Sequence, residues 1–186
     1  VFPQHAVDLK AQFKKILATE YTAVSTPIQH AAVAGFEISK DMDEYFEITR
    51  NIHHIMGEYT HDELLKIEGV KVTKPEATFY LLADFNAFAT DLQKVKITTS
   101  QKLSESLMVH PYHTAIVGGD SLVLERTDFS ARIAYVDYDG AKVYESYKKQ
   151  KPKTHSERTE FVKNNAPKMV QGIKMIAKFF EDIRNK

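Results

Sequence analysis

A long amphipathic helix is the feature of this sequence that most restricts how the chain can fold. Between Asp41 and Ile67, apolar or aromatic side chains recur every three or four residues for about six helical turns. The residues that carry the pattern are Tyr45, Ile48, Ile52, Ile55, Met56, Tyr59 and Leu64. A helix of this length is typical of a bridge between two bodies, although a coiled-coil pair would show a similar pattern. Gly57 is a candidate bend within it.

A second informative stretch runs from Phe129 to Val136, where side chains alternate in character and β-branched and aromatic residues are frequent. This pattern predicts a β-strand in which Arg132 faces away from the apolar side. The apolar side carries Phe129, Ile133 and Tyr135. The turn residues that follow end the strand, and Asp139 is a suitable N-cap for another helix. An arginine at such a corner can hold an anion, although most arginines only solvate a surface.

The rest of the chain predicts further helices and strands around these two elements. Helices are expected at His5 to Ala18, Ile28 to Ile38, Ser100 to Met108 with a serine cap, and from Pro167 to the C-terminus. β-Prone runs occur on both sides of Lys74-Pro75-Glu76, with Thr78 to Phe85 the stronger, and at Val109 to Val117. We expect a hairpin turn at Gly118 to Asp120 and a mobile, solvated basic loop at Lys148 to Arg158. The predicted fold class is α+β, a small sheet covered by helices.

Composition excludes several classes of partner. The 186 residues include 25 basic and 25 acidic side chains, so no net field favours nucleic acid or an anionic membrane surface. No cysteine is present, which excludes disulfides and thiolate chemistry and is compatible with the cytoplasm. No apolar run reaches the roughly 20 residues of a membrane span. We therefore expect a soluble, cytoplasmic protein, and the start at Val1 suggests a piece cut from a longer polypeptide.

Histidines of the long helix are the candidate metal ligands. His53, His54 and His61 lie within about two turns of one another. No set of ligands with a recognised metal-binding spacing accompanies them. We interpret these histidines as solvated helix side chains and expect no metal site.

The long helix is followed in order by PEATFYLLADF, SxxLxxxxxVHPY, GGDS, FSARIAYVDYDG and the closing amphipathic helix. In this order the motifs resemble the C-terminal part of class I and II, fold-type I, pyridoxal-phosphate-dependent aminotransferases, and the resemblance covers nearly the whole chain. It implies the helical end of the large domain at residues 1–40, a long interdomain helix at 41–68 and a small C-terminal domain at 69–186.

The resemblance also implies roles for individual residues. In the family, an arginine in an R-(I/L)-(A/S) strand grips the α-carboxylate of the amino acid, and that arginine corresponds to Arg132. A polar turn before a proline reaches the cofactor phosphate of the other subunit of a homodimer. It corresponds to Ser25 and Thr26, which simple helix capping would also explain. The implied substrates are an amino acid and a 2-oxo acid, and the implied cofactor is pyridoxal phosphate (PLP).

Other parts of the family pattern are absent. The aldimine lysine of the family lies among small residues and is followed by Gly-x-Arg. Neither Lys40 nor Lys74 has that continuation, so no catalytic residue is assigned in this chain. Val109 to Ala115 also departs from the family's Pro-Gly-x-x-Phe-like loop, and its side chains receive no role.

These observations favour the C-terminal fragment of an aminotransferase, inactive on its own. One alternative is a self-standing, non-enzymatic α+β interaction module that forms a homodimer through its long and small-residue helices. A weaker alternative is a lyase or acyl-transferring relative with the same fold, because a fold does not determine a reaction.

Overall fold

The computed structural model describes residues 7–20, 24–37 and 39–185. The chain divides into two compact units, Val1–Glu44 and Tyr45–Lys186. Unit 1 contains α1 (Val7–Glu20), α2 (Thr26–Phe36) and the first turn of α3 (Lys40–Leu65). None of the unit 1 side chains that the structure describes is buried. Over the described ranges, no helix combines the length and the hydropathy that crossing a bilayer requires.

Unit 2 contains the rest of α3, a small sheet and five further helices among its described residues. The elements that follow α3 are β1 (Lys71–Val72), β2 (Tyr80–Asp84), α4 (Ala89–Lys94), α5 (Ser100–Met108), β3 (Val117–Gly118), β4 (Ser130–Ala134), α6 (Gly140–Gln150), α7 (His155–Asn165) and α8 (Pro167–Arg184). The sheet is antiparallel throughout, in the order β1-β2-β4-β3. The fold class is therefore α+β, as predicted.

One face of the sheet belongs to the hydrophobic core. Leu81 pairs with Ile133 and Ala83 with Ala131 across β2 and β4, and all four side chains are buried. They form one apolar cluster with the inward faces of α3 and α8, where Phe180 stacks on the ring of Phe85 at 4.6 Å. Because side chains alternate along a strand, the intervening residues lie on the opposite face of the sheet.

The structure confirms the long helix, the strand that carries Arg132 and the closing helix. Asp139 caps α6, since its Oδ1 accepts a hydrogen bond from the backbone N–H of Lys142 at 3.1 Å. Gly57 has a packing role, because a Cβ there would lie 3.0 Å from both Pro75 and the Tyr135 ring. α5 begins at Ser100 as predicted, but its N-cap is the side chain of Thr99.

The predictions for residues 109–120 were wrong. Only the last residue of the β-prone run, Val117, lies in a strand, because the backbone N–H groups of Tyr112 and His113 turn back to the carbonyl of Val109. No hairpin turn forms at Gly118 to Asp120. Gly118 belongs to β3 and a short 3-10 turn, Gly119–Leu122, follows it.

The predicted basic loop at Lys148 to Arg158 is also wrong, because most of this segment is helical. α6 continues to Gln150 and α7 begins at His155. Thr154 and Glu157 form a capping box, in which each side chain accepts a hydrogen bond from the backbone of the other. Lys148 and Lys149 lie in the last turn of α6, where their positive charges interact favourably with the helix dipole. The basic residues at the start of this segment are therefore compatible with a helix and do not require a loop.

Candidate functional site around Arg132

Arg132 lies in the middle of the sheet, on the face opposite the core. It sits between Leu82 of β2 and Val117 of β3. As the alternation predicts, it points away from the buried side chains of Phe129, Ile133 and Tyr135. Arg132 itself is half-buried.

The guanidinium group of Arg132 stacks on an aromatic ring. Its Cζ lies 4.4 Å from the ring centroid of Tyr80, a distance typical of a cation–π contact. Within the described part of the chain, no acidic side chain forms an ion pair or a hydrogen bond with Arg132. The Arg132 cation is thus partly shielded from water, and no carboxylate of the described residues neutralises its charge.

Arg132 opens into a cleft of about 660 Å³. The cleft is lined by Thr73, Lys74, Pro75, Glu76, Ala77, Tyr80, Leu81, Leu82, Leu122 and Arg132. A planar guanidinium presents two parallel N–H donors to a carboxylate. The cleft therefore has the chemistry and the space for a small carboxylate ligand.

A hydrogen-bond cluster supports the start of β4, two residues before Arg132. The Oδ1 atom of Asp128 accepts hydrogen bonds from the Ser130 hydroxyl at 2.6 Å and from the Asn86 side chain at 3.0 Å. These bonds hold the pKa of Asp128 below its ordinary value. Asn86 also accepts a hydrogen bond from the backbone N–H of Phe129 at 3.0 Å. Sequence reasoning missed this cluster, and its one local signal was an aspartate two residues before Ser130.

His53 contradicts its interpretation as a solvated side chain. It lines a second cavity, of about 670 Å³, and its Nδ1 lies 3.4 Å from the hydroxyl of Tyr138. Burial lowers the pKa of His53. Burial, with a smaller contribution from Tyr135, raises the pKa of Tyr138 to about 12. His54 is exposed, as interpreted. The side chain of His61 is only 16% exposed and its Nδ1 lies 2.9 Å from Asp62, so His61 also departs from that interpretation. No three potential metal ligands cluster anywhere in the described residues.

Ser25 and Thr26 lie in unit 1, whereas Arg132 lies in unit 2. The side chains of Ser25 and Thr26 are exposed. Ser25 immediately precedes α2, and its carbonyl accepts the backbone hydrogen bond of Gln29 at 3.0 Å. Its side chain makes no capping hydrogen bond, so capping by the Ser25 hydroxyl does not account for this residue. A role at a cofactor phosphate stays a prediction.

The described residues do not form a complete PLP site. An aldimine lysine needs an enclosed position beside the cofactor, but every lysine that the structure describes is exposed to solvent. The Arg132 cleft contains one of them, Lys74, and no aspartate for a pyridine nitrogen. This donor set fits the binding of an anion and does not fit the covalent binding of PLP.

Comparison with known proteins adds two findings. The family described as "Aminotransferase class I and II" matches residues 6–145, which include the Arg132 strand and Ser25 and Thr26. The chain is also similar to a "Probable aspartate/prephenate aminotransferase" of Aquifex aeolicus (strain VF5). The two are 32% identical over an alignment of 101 residues, which covers 52% of this chain and 24% of the relative. The chain therefore matches about a quarter of the length of that relative.

Proposed function

The chain belongs to the class I and II aminotransferase family, and on that basis we propose that it is the C-terminal part of a PLP-dependent aminotransferase. In this proposal residues 1–40 end the large domain, residues 41–68 form the interdomain helix, and residues 69–186 form the small domain. The parent enzyme exchanges an amino group between an amino acid and a 2-oxo acid. The part described is inactive alone, because the groups that would bind PLP covalently lie outside it.

The environment of Arg132, a half-buried residue, is the observation that supports this role. It is stacked on Tyr80 and, in the described residues, has no acidic partner, although it opens into a cleft of about 660 Å³. Partial burial of a cation is costly unless an anion compensates it. A substrate carboxylate is such an anion, and it can accept two parallel hydrogen bonds from the guanidinium.

The same arginine can serve both substrates of an amino-group exchange. An amino acid and a 2-oxo acid differ at the α-carbon but share the neighbouring carboxylate. A carboxylate held by the two N–H donors of Arg132 has a defined position and orientation, which also orients the α-carbon. In this proposal Arg132 binds and orients substrate, and it transfers no proton.

The test compares Arg132→Ala with Arg132→Lys and with Lys74→Ala. Binding of pyruvate and alanine is followed by NMR chemical-shift titration of the isotope-labelled chain. Arg132→Ala should weaken binding by about 2 to 3 kcal/mol, because one partner of a charge-assisted pair is removed. Arg132→Lys should recover only part of the affinity, since lysine has no planar fork. Lys74, an exposed cation of the same cleft, is the control for charge alone. Unchanged affinity in Arg132→Ala would remove the proposed role.

A separate experiment tests the expected absence of covalent cofactor binding. The chain is incubated with PLP and then reduced with borohydride, which fixes any Schiff base to a lysine. Because all described lysines are exposed, we expect low, scattered labelling by peptide mass spectrometry. A single lysine modified at full stoichiometry would contradict the proposal.

The surface of α2 supports a second candidate, a homodimerisation module. Ile28, Val33 and Phe36 are 59%, 62% and 88% exposed, although all three are apolar. Val33→Glu should convert a dimer into a monomer in sedimentation velocity, whereas Val123→Glu should not. Val123 is a valine of unit 2 that is 97% exposed, so it controls for added surface charge. A monomeric wild-type chain at micromolar concentrations would exclude this candidate.

A further inference from the structure

Tyr80 reaches Arg132 because of the register between β2 and β4. Leu82 lies directly opposite Arg132, and Tyr80 lies opposite Ala134. Tyr80 and Arg132 are therefore diagonal neighbours on one face of the sheet, a distance that aromatic and long side chains can span. The result is the 4.4 Å contact between Cζ of Arg132 and the ring centroid of Tyr80.

The ring of Tyr80 also contacts a second aromatic ring. Its centroid lies 4.3 Å from that of Phe79, at an interplanar angle of 47°. The Phe79 ring lies 6.1 Å from the ring of His53 on α3. The carbonyl of Phe79 accepts a hydrogen bond from the backbone N–H of Tyr135 at 3.1 Å. A row of three rings thus connects the guanidinium group to α3.

The hydroxyl of Tyr80 has no part in these contacts. Among the described residues, no side-chain donor or acceptor forms a hydrogen bond with it, whereas the backbone N–H of Tyr80 donates to the Thr78 hydroxyl. The aromatic ring is therefore the part of Tyr80 that acts on Arg132.

We infer that Tyr80 is a positioning residue, which holds the plane of the Arg132 guanidinium so that its paired N–H donors face the cleft. This inference rests on the proposed carboxylate-binding role of Arg132. An arginine side chain loses considerable rotamer freedom when it binds a ligand. Stacking removes part of that freedom before binding, and so favours an anion with two coplanar oxygens over a spherical anion of the same charge.

The experiment compares pyruvate with chloride, since chloride needs a positive charge but no particular orientation of the plane. Tyr80→Leu should weaken pyruvate binding about two- to fivefold, the usual range for an exposed cation–π contact. Chloride binding should stay unchanged, so the ratio of the two affinities should fall. Tyr80→Phe keeps the ring and should keep the ratio. NMR titration of the chain gives both dissociation constants.

A spectroscopic measurement on the unliganded chain provides an independent readout. The ring current of Tyr80 should displace the Nε–H resonance of Arg132, and Tyr80→Phe should retain the displacement. Absence of this displacement in the wild-type chain would overturn the inference even if Tyr80→Leu failed to fold.

The outcomes separate this inference from the proposed function. If Arg132→Ala loses pyruvate binding but Tyr80→Leu keeps the wild-type pyruvate-to-chloride ratio, only the positioning role of Tyr80 is wrong. If Arg132→Ala binds pyruvate as the wild type does, both ideas fail.

Discussion

Replacement of Gly118 by alanine should destabilise unit 2 through contact with one backbone group. A Cβ at this position would lie 2.7 Å from the carbonyl oxygen of Ser100 and 3.0 Å from Oδ1 of Asp120. The Ser100 backbone has little freedom to move, because its N–H donates to the carbonyl of Arg126 and its hydroxyl donates to Asp120. The φ of Gly118 is −62°, which any residue adopts, so the penalty arises from the contact alone.

The magnitude follows from the type of atom that would have to move. Forcing a methyl group into a packed site costs about 1 to 3 kcal/mol. Gly140→Ala is the matched control, since nothing lies within 4 Å of its Cβ position at the start of α6. There the substitution should stabilise by about 0.4 to 1 kcal/mol, mainly by restricting the unfolded chain.

Urea unfolding, followed by circular dichroism, measures both free energies of unfolding. We expect the free energy of unfolding of Gly118→Ala to lie about 1.4 to 4 kcal/mol below that of Gly140→Ala. Because Gly118 pairs with Ala131, the neighbour of Arg132, the variant should also weaken pyruvate binding. If Gly118→Ala were as stable as Gly140→Ala, the close approach of Ser100 and β3 would be refuted.

Two further predictions concern the segments before and after β4. Asp139→Ala should lower the free energy of unfolding by about 1 kcal/mol, because it removes the N-cap of α6. In the same urea assay the exposed Asp137→Ala should stay within about 0.5 kcal/mol of wild type, and equal effects would exclude capping. Hydrogen bonds from Ser130 and Asn86 depress the pKa of Asp128 below 3.8 in the folded state, so its stabilising contribution is present above that pH. This contribution should be lost as the pH falls through the pKa of Asp128 in the folded state. Asp128→Asn should therefore reduce the fall in the free energy of unfolding between about pH 5 and about pH 2, measured by urea unfolding. An unchanged pH dependence would argue against the cluster.

Elements with a strong local pattern could be predicted from the sequence. The spacing of apolar residues in α3 and α8 indicates which side of each helix faces the core, and the alternation along β4 does the same for the strand. The side of the strand on which Arg132 lies followed from that alternation. Asp139 was predictable as a cap because a cap acts on backbone groups only three residues away.

Two of the errors occurred where contacts between distant segments override local propensity. Val109 to Ile116 is β-prone but turns back on itself beside α5, and there the hydroxyl of Tyr112 donates to Asp182 of α8 at 2.9 Å. Gly118 and Gly119 resemble a hairpin turn, yet Gly118 extends a strand that the backbone of Ser100 approaches closely.

The sequence by itself determined the α+β class, the two dominant helices and the strand that exposes one arginine away from the core. Those properties depend on the periodicity of apolar residues within single elements, which can be read directly from the sequence. Only the tertiary structure decided that Tyr80 stacks on Arg132 and that burial lowers the pKa of His53. These depend on strand register and on packing between segments far apart in the chain, and no local pattern specifies either of them.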